Sequence, residues 1–271
     1  MSRFFIKRAA NGVWYGQFAH IAHHGVKHGI STRLGGLSAA PYGTLNLGLK
    51  SGDDPDKVRL NRDLFCQAVG VDYSRALTCQ QVHASHIHFA TAADAGRGAR
   101  SHDAAIPACD AVVTDQPGLP LMLFYADCVP VIVYDPVRQV VAVVHAGWKG
   151  TLARIAAKTV LAMSEHYGSK PAHCLVGIGP SIGPCCYEVD EPVIRALKDA
   201  FGPAWTKLAV PRGDKWLLDL WHANRDQLED VGVQRDRIDI SGVCTASNTE
   251  LFYSHRAEKG ITGRLGAIIS L

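Results

Sequence analysis

Apolar positions along the chain fall into two spacings, and these predict most of its elements. Asp54-Pro55 places an N-cap before a first-turn proline and opens a helix that runs to about Gly70. A second helix opens at Thr151, with Leu152, Ile155, Ala156, Val160 and Met163 at helical intervals. A third starts from Asp190 and Pro192 and carries Val193, Leu197 and Phe201, and Asp219 caps a fourth with Leu220, Ala223, Leu228 and Val231. Runs rich in β-branched residues predict strands at 76–82, 86–90, 111–114, 120–125, 129–134, 139–145, 173–178, 237–243 and 251–254. Strands and helices alternate loosely, with hairpins among them. That order predicts one α/β (α+β) domain over residues 1–271, with mixed β-sheets flanked by helices. The Gly-, Ser- and Pro-rich stretch 31–54 reads as an ordered functional loop.

Composition changes this picture little. Of 271 residues, 47% are hydrophobic and 20% charged, which fits a folded protein and excludes disorder. Lys and Arg total 28 against 25 Asp and Glu, a net charge of +3 that is too even to mark a nucleic-acid or membrane surface. No run of about 18 apolar residues is present to span a bilayer, and nothing at the start reads as an export signal. The expectation is a cytoplasmic monomer with neither nucleic acid nor membrane as partner. The eight cysteines include no CxxC pair, so buried thiols are the default, and the adjacent Cys185 and Cys186 read as inert.

The chemistry gathers in residues 119–151. Two β-rich runs, VPVIVY and QVVAVVHA, flank Asp135-Pro136-Val137-Arg138, which is good turn chemistry. An antiparallel hairpin with Asp135 opposite Arg138 would also set Cys128 opposite His145, with Cβ atoms about 5 Å apart. A facing Cys and His can be a thiolate nucleophile with its base, or two ligands of a transition metal, zinc being the best fit. TCQQVHASHIHF offers His83, His86 and His88 as a third donor. Strand alternation turns His83 away from Val82 and Ala84, which favours it without closing the choice. Two His and one Cys leave one tetrahedral position open, as in a catalytic zinc site. Gly147-Trp148-Lys149-Gly150 then leads into a helix N-terminus, where backbone N–H groups can receive an anion.

The segments STRLGGLSAAPYGTLNLGLKSGDDPDKVRLNR, QQVH, CDAVVTDQPGLPLMLFYADCVPVIVYD, VVHAGWKGT, VGIGPSIGPCCYEV, WLLDLWHANRDQL and CTASNTELFYSHR resemble the laccase-domain family, also called multicopper polyphenol oxidase-like. Its members are described as zinc-dependent purine nucleoside phosphorylases and adenosine deaminases, and some bacterial ones as peptidoglycan editing factors. The resemblance runs from about residue 28 to 271. It implies metal ligands at His83, Cys128 and His145, and a fold similar to toxin deamidases that use a Cys–His pair. It also implies purine nucleosides (adenosine, inosine, guanosine, methylthioadenosine) and phosphate as substrates, with hydrolytic deamination of adenosine as a second activity. Zinc is the implied ion, ahead of copper. Two alternatives are a cysteine hydrolase editing peptidoglycan precursors and a copper-dependent polyphenol oxidase. The latter suits the chain poorly, because one Cys and two His make a single mononuclear site. The sequence departs from the family pattern where Ser254-His255-Arg256-Ala257 lacks a second Arg, and where Ala84 replaces a common Gly.

Further roles follow from residue type. Arg62, about two turns into the first helix, is expected to hold phosphate or ribose through its planar fork, with Arg33 as the alternative. Asn46 in TLNLG is read as a hydrogen-bond partner of ribose or purine, or as a turn-stabilising amide. Cys244 follows a strand and either lines the pocket or is a structural thiol. Asp127 is expected to orient a metal-bound His or a neighbouring backbone amide, with general base as the alternative. Trp148 can stack on a purine or fill the core. Gly179 and Gly183, at a strand end, permit close backbone approach. Tyr253 and His255 are rim candidates.

Overall fold

The computed structural model describes residues 4–271. In chain order its strands are β1 (Phe4–Arg8), β2 (Trp14–Phe18), β3 (Lys27–Ser31), β4 (Ile87–Phe89), β5 (Ala111–Thr114), β6 (Leu121–Tyr125), β7 (Val129–Asp135), β8 (Val140–Ala146), β9 (Leu175–Ile178), β10 (Glu188–Val189), β11 (Ala209–Arg212), β12 (Lys215–Leu218), β13 (Ile238–Ile240) and β14 (Leu265–Ser270). The α-helices are α1 (Ala19–Ala22), α2 (Pro55–Val69), α3 (Trp148–Leu152), α4 (Ile155–Tyr167), α5 (Glu191–Phe201) and α6 (Leu220–Asp230). One antiparallel sheet has the order β1-β2-β3-β14-β6. A mixed sheet has the order β13-β9-β7-β8-β5-β4, parallel at β13/β9 and β4/β5 and antiparallel elsewhere. A small antiparallel sheet, β10-β12-β11, stands apart from both.

Alternation along the strands stacks the two large sheets face to face. Leu121, Leu123 and Tyr125 of β6 pack with Ile132 and Tyr134 of β7 and with Val141 and Val143 of β8. The outer face of the first sheet, through Met122 and Ile268, packs on Phe65 and Cys66 of α2. The outer face of the second, through Val131, Val133, Ala142 and Val144, packs on α4 and α6 at Ile155, Val160, Met163, Ala223 and Leu228. The layers therefore run helix, sheet, sheet, helix. Strands β7 and β8 are buried over all seven residues each, so they are apolar on both sides and read as continuous runs. Each fully buried Val or Ile there contributes about 1.5–3 kcal/mol through apolar surface removed from water.

Three of the four long helices start at the expected caps, Asp54, Asp190 and Asp219. Asp54 accepts from the Asp56 N–H, α2 ends on left-handed Gly70, and Asp219 accepts from the His222 N–H. Other expectations are corrected. The helix expected from Thr151 divides into α3 and α4 at Arg154, which is left-handed at φ 61°. Residues 251–254 form a turn, in which the Leu251 and Phe252 N–H groups donate to the Asn248 carbonyl. Residues 76–82 run extended beside β6, with bridges at Leu77 and Cys79, and the Gln81 amide pairs twice with the Phe124 backbone.

The β7–β8 hairpin also has another register. Asp135 faces Val140 and Pro130 faces His145, which leaves a four-residue turn over 136–139. Asp135 Oδ1 accepts from the Val137 and Arg138 N–H groups, and Gln139 takes a positive φ of 53° to close the turn. Cys128 is thus not opposite His145 but just past the end of the ladder.

Candidate active site

The chain leaves one large sheet at Tyr125 and enters the other at Val129, so Ala126, Asp127 and Cys128 form the crossover between layers. Asp127 turns it with a positive φ of 80°. His145 follows Val141 and Val143 on the inter-sheet face of β8, and its ring centroid lies 5.5 Å from that of Tyr125. The extended segment clamped by Gln81 delivers His83 to the same place, with ring centroids of His83 and His145 4.8 Å apart. The ligand atoms of His83, Cys128 and His145 all lie within 4.8 Å of one another, and Cys128 Sγ is 4.0 Å from His83 Nδ1. The altered register does not separate Cys128 from His145, because each projects past the ladder end into one space.

Asp110 organises this trio, and it escaped the sequence reading. Its buried carboxylate accepts from His145 Nδ1 at 2.8 Å and from the consecutive backbone N–H groups of Val82, His83 and Ala84 at 3.2, 3.0 and 2.9 Å. Three successive N–H groups around one anion need a left-handed residue among them, and His83 supplies it at φ 58°. A carboxylate only accepts, so His145 carries its proton on Nδ1 and turns Nε2 toward Cys128. Burial alone would raise the Asp110 carboxyl, but the His145 ring and the Ala84 and Val82 N–H groups hold it below the usual carboxylate range. The signal in the sequence is Asp110 immediately ahead of a strand that pairs with β8.

Burial would likewise push the Cys128 thiol up, yet the His145 and His83 imidazoles bring it down to about 6. Burial opposes the charged His145 ring, but the Cys128 sulfur and the Asp110 carboxylate raise it to about 9. Each group thus favours the charged form of the other in the metal-free pair, the thiolate at Cys128 and the imidazolium at His145. Gly147 completes the site. A Cβ added there would sit 3.0 Å from both Cys128 Sγ and His83 Nδ1, so the missing side chain leaves a hollow between two of the donors. Two ring nitrogens, an activated thiolate and that hollow fit one metal ion.

The site opens into a cavity of about 330 Å³ whose walls include His83, Cys128, His145, Arg62, Phe124, Arg264, Lys50, His102 and His255. Arg62 is held there rigidly. Its Nε and Nη1 donate to the carbonyls of Leu47, Gly98 and Ala99, and the guanidinium lies 4.2 Å from the Phe124 ring centroid. Among the described residues, no acceptor pairs with its Nη2. Burial lowers the Arg62 pKa to about 10, so it stays cationic at neutral pH. Arg264, Lys50 and His102 were missed, since nothing local distinguishes them from surface cations.

Other expected residues lie elsewhere or are committed. Asn46 does not reach the cavity: its amide nitrogen donates to Ser51 and Asp53, and its oxygen accepts from the Gly48 and Arg264 N–H groups. It shapes the 46–53 loop and so fits the turn-stabilising alternative. Asp127 does not touch a ligand histidine. One oxygen accepts from Thr245 Oγ1 and the other from the Arg256 N–H, so it secures backbone behind Cys128. Cys244 is buried beside Cys185 and Cys186, outside the cavity lining. Arg33 is spent on the Gly43 and Thr249 carbonyls and Glu258. Trp148 lines a neighbouring cleft with Tyr187 and Arg256, and Tyr253 is buried, donating to the Tyr42 carbonyl.

Known proteins are similar to this chain over most of its length. Purine nucleoside phosphorylase YlmD of Geobacillus stearothermophilus is 38% identical over 249 residues, covering 90% of each chain. Purine nucleoside phosphorylase SCO2081 of Streptomyces coelicolor is 40% identical over 248 residues, 92% of this chain and 96% of that one. The crystal structure of YlmD from Geobacillus stearothermophilus matches with a TM-score of 0.94 at 35% identity, over 100% of this chain and 99% of that one. The Bacillus licheniformis hypothetical protein YfiH matches with a TM-score of 0.92 at 36% identity, over 98% of both. A family model described as multi-copper polyphenol oxidoreductase laccase fits residues 27–271. With the fit beginning at residue 27 and running to the last residue, this chain belongs to the multi-copper polyphenol oxidoreductase laccase family.

Proposed function

We propose that the protein is a zinc-dependent purine nucleoside phosphorylase, acting on adenosine, inosine, guanosine and methylthioadenosine, and that the same pocket deaminates adenosine. One observation carries the reading: His83, Cys128 and His145 converge at a cavity that Arg62 and Arg264 also line. The names of the relatives agree with its purine nucleoside phosphorylase part. One ion held by two imidazoles and a thiolate suits zinc better than the His-rich clusters of multicopper oxidation. When bound, it supplies Lewis acidity to a substrate heteroatom or to water.

The chain's own residues do the rest. Arg62, fixed on three carbonyls, turns its Nη2 edge to phosphate, and Arg264 and Lys50 add positive charge. Phosphorolysis forms a bond from a phosphate oxygen to the ribose anomeric carbon and breaks the bond to the purine nitrogen. Held phosphate and held nucleoside make that step unimolecular. Asp110 keeps His145 in one tautomer and His83 in one backbone conformation throughout. In deamination, water adds at the purine amino carbon and ammonia leaves.

The test is incubation of zinc-loaded protein with adenosine, with and without phosphate and with a chelator, reading adenine, ribose 1-phosphate and inosine. Adenine that requires phosphate, and inosine that does not, are expected. Absence of all three products rejects the proposal. Arg62→Lys, checked for folding by thermal unfolding, should raise the KM for phosphate about tenfold, because an ammonium with three protons cannot hold the Leu47, Gly98 and Ala99 carbonyls and also donate to phosphate.

The Cys128–His145–Asp110 chain of contacts also suits a cysteine hydrolase, with a thiolate nucleophile and an oriented imidazole. Metal content separates the two readings: stoichiometric zinc that shields Cys128 from alkylation excludes the hydrolase.

A further inference from the structure

A second group of ligand atoms lies outside the cavity. After β9 and β13, the loops 179–187 and 241–249 run side by side, joined by the Ser181–Cys244 bridge and by N–H to carbonyl bonds from Ser181 to Val243 and from Thr245 to Ser181. That pairing brings Cys185, Cys186 and Cys244 together, with their sulfurs within 4.8 Å of one another. Cys185 and Cys186 sulfurs are 3.6 Å apart, and the Ser247 hydroxyl lies 3.5 and 3.1 Å from them. The Gly183 N–H donates to Cys244 Sγ at 3.2 Å. Cys185 is exposed, Cys186 half-buried and Cys244 buried, so the group is reached from solvent at one side only.

Two separate loops and a pair of adjacent residues are needed to assemble these sulfurs, and apolar packing alone does not require it. Three thiols so close cannot all ionise unaided, because each thiolate opposes the next. Burial would raise Cys244, but the Gly183 N–H and Ser247 hold it below the ordinary thiol range. A cation removes the conflict by taking all three as thiolates and releasing their protons to solvent.

We propose that Cys185, Cys186 and Cys244 form a second metal site, a three-thiolate site for a soft ion. Three sulfurs with no imidazole or carboxylate select Cu(I), and Zn(II) would need a fourth donor such as Ser247. The site is independent of the nucleoside reading, since none of its residues lines the cavity.

The test titrates the full-length protein anaerobically with Cu(I), and separately with Zn(II), against a colorimetric chelator. The wild type is compared with Cys185→Ser/Cys186→Ser and with Cys128→Ser, and folding is checked by thermal unfolding. Two Cu(I) equivalents in the wild type are expected, with one lost in each variant, and nucleoside turnover unchanged in the double variant. Because Cys185 is exposed, Cys185→Ser alone provides a milder probe and should also lose the second equivalent. Two equivalents of Zn(II) with weaker Cu(I) binding would keep the site but overturn the assignment to Cu(I). A single equivalent that disappears in Cys128→Ser and persists in the double variant overturns the site. So does native thiol counting that finds Cys185 and Cys186 oxidised to each other.

Discussion

Asp110→Asn tests how the candidate metal site is held. The carboxylate receives four donors, with His83 N–H and His145 Nδ1 on Oδ1, and Val82 and Ala84 N–H on Oδ2. An amide of the same shape keeps one acceptor oxygen and replaces the other with a donor. If its nitrogen takes the Oδ2 place, the Val82 and Ala84 N–H groups face N–H. If it takes the Oδ1 place, the His83 N–H is stranded and His145 must move its proton to Nε2, the nitrogen needed for metal. An unpaired N–H costs about 1–3 kcal/mol when fully buried, and these two are part-buried, so at most about 2–6 kcal/mol of stability is lost in the first arrangement. Loss of such an outer partner lowers metal affinity about 10- to 100-fold, or about 1.4–2.7 kcal/mol. Zinc affinity measured by chelator competition, alongside thermal unfolding with and without zinc, reads both effects. An Asn variant that binds zinc within about twofold of wild type and unfolds at the same temperature would refute the argument.

Three further predictions concern Gly147, Cys128 and His28. Gly147→Ala keeps all three ligands, and the Gly147 backbone (φ −64°, ψ 173°) accepts any residue, yet its methyl would lie 3.0 Å from two donors; the variant should fold normally and lose zinc, and normal zinc content would contradict the cradle. In metal-free protein, alkylation of Cys128 should reach half its maximal rate near pH 6 and be blocked by zinc, whereas a midpoint near the ordinary thiol value would show that the imidazoles do not stabilise the thiolate. His28 is fully buried, accepts from the Phe18 N–H through Nε2, bonds to the Val26 carbonyl through Nδ1, and is lowered by burial to about 4. The folded protein thus binds fewer protons than the unfolded one: this contribution is fully present above pH 6.5 and is lost as pH falls toward 4, by about 3 kcal/mol. Urea unfolding at pH 7 and pH 4.5 should show a larger difference in the wild type than in His28→Gln, and equal differences would remove His28 from the account.

How far the sequence reached depended on the range of the interaction. The helix caps at Asp54 and Asp219 and the turn acid at Asp135 act within a few residues, so they were legible and they formed. The runs that became β7 and β8 were legible because they are buried on both faces. Their register was not, because a four-residue turn with left-handed Gln139 is as compatible with the local residues as a two-residue one. Strands β1, β2, β3 and β14 went unpredicted, since five or six residues carry too few alternations to stand out before their partners are known.

At the site, the sequence by itself determined the donor types: two imidazoles, a thiol and a nearby arginine, gathered into recognisable segments. Tertiary structure decided which of the remaining residues share their space. It took Asn46 and Asp127 out of the pocket by filling their hydrogen-bonding capacity. It brought in Asp110, Gly147, Arg264 and the three-sulfur group at Cys244. A donor's chemistry is a property of one residue and can be read in one dimension, whereas convergence depends on how two sheets stack and where the chain crosses between them.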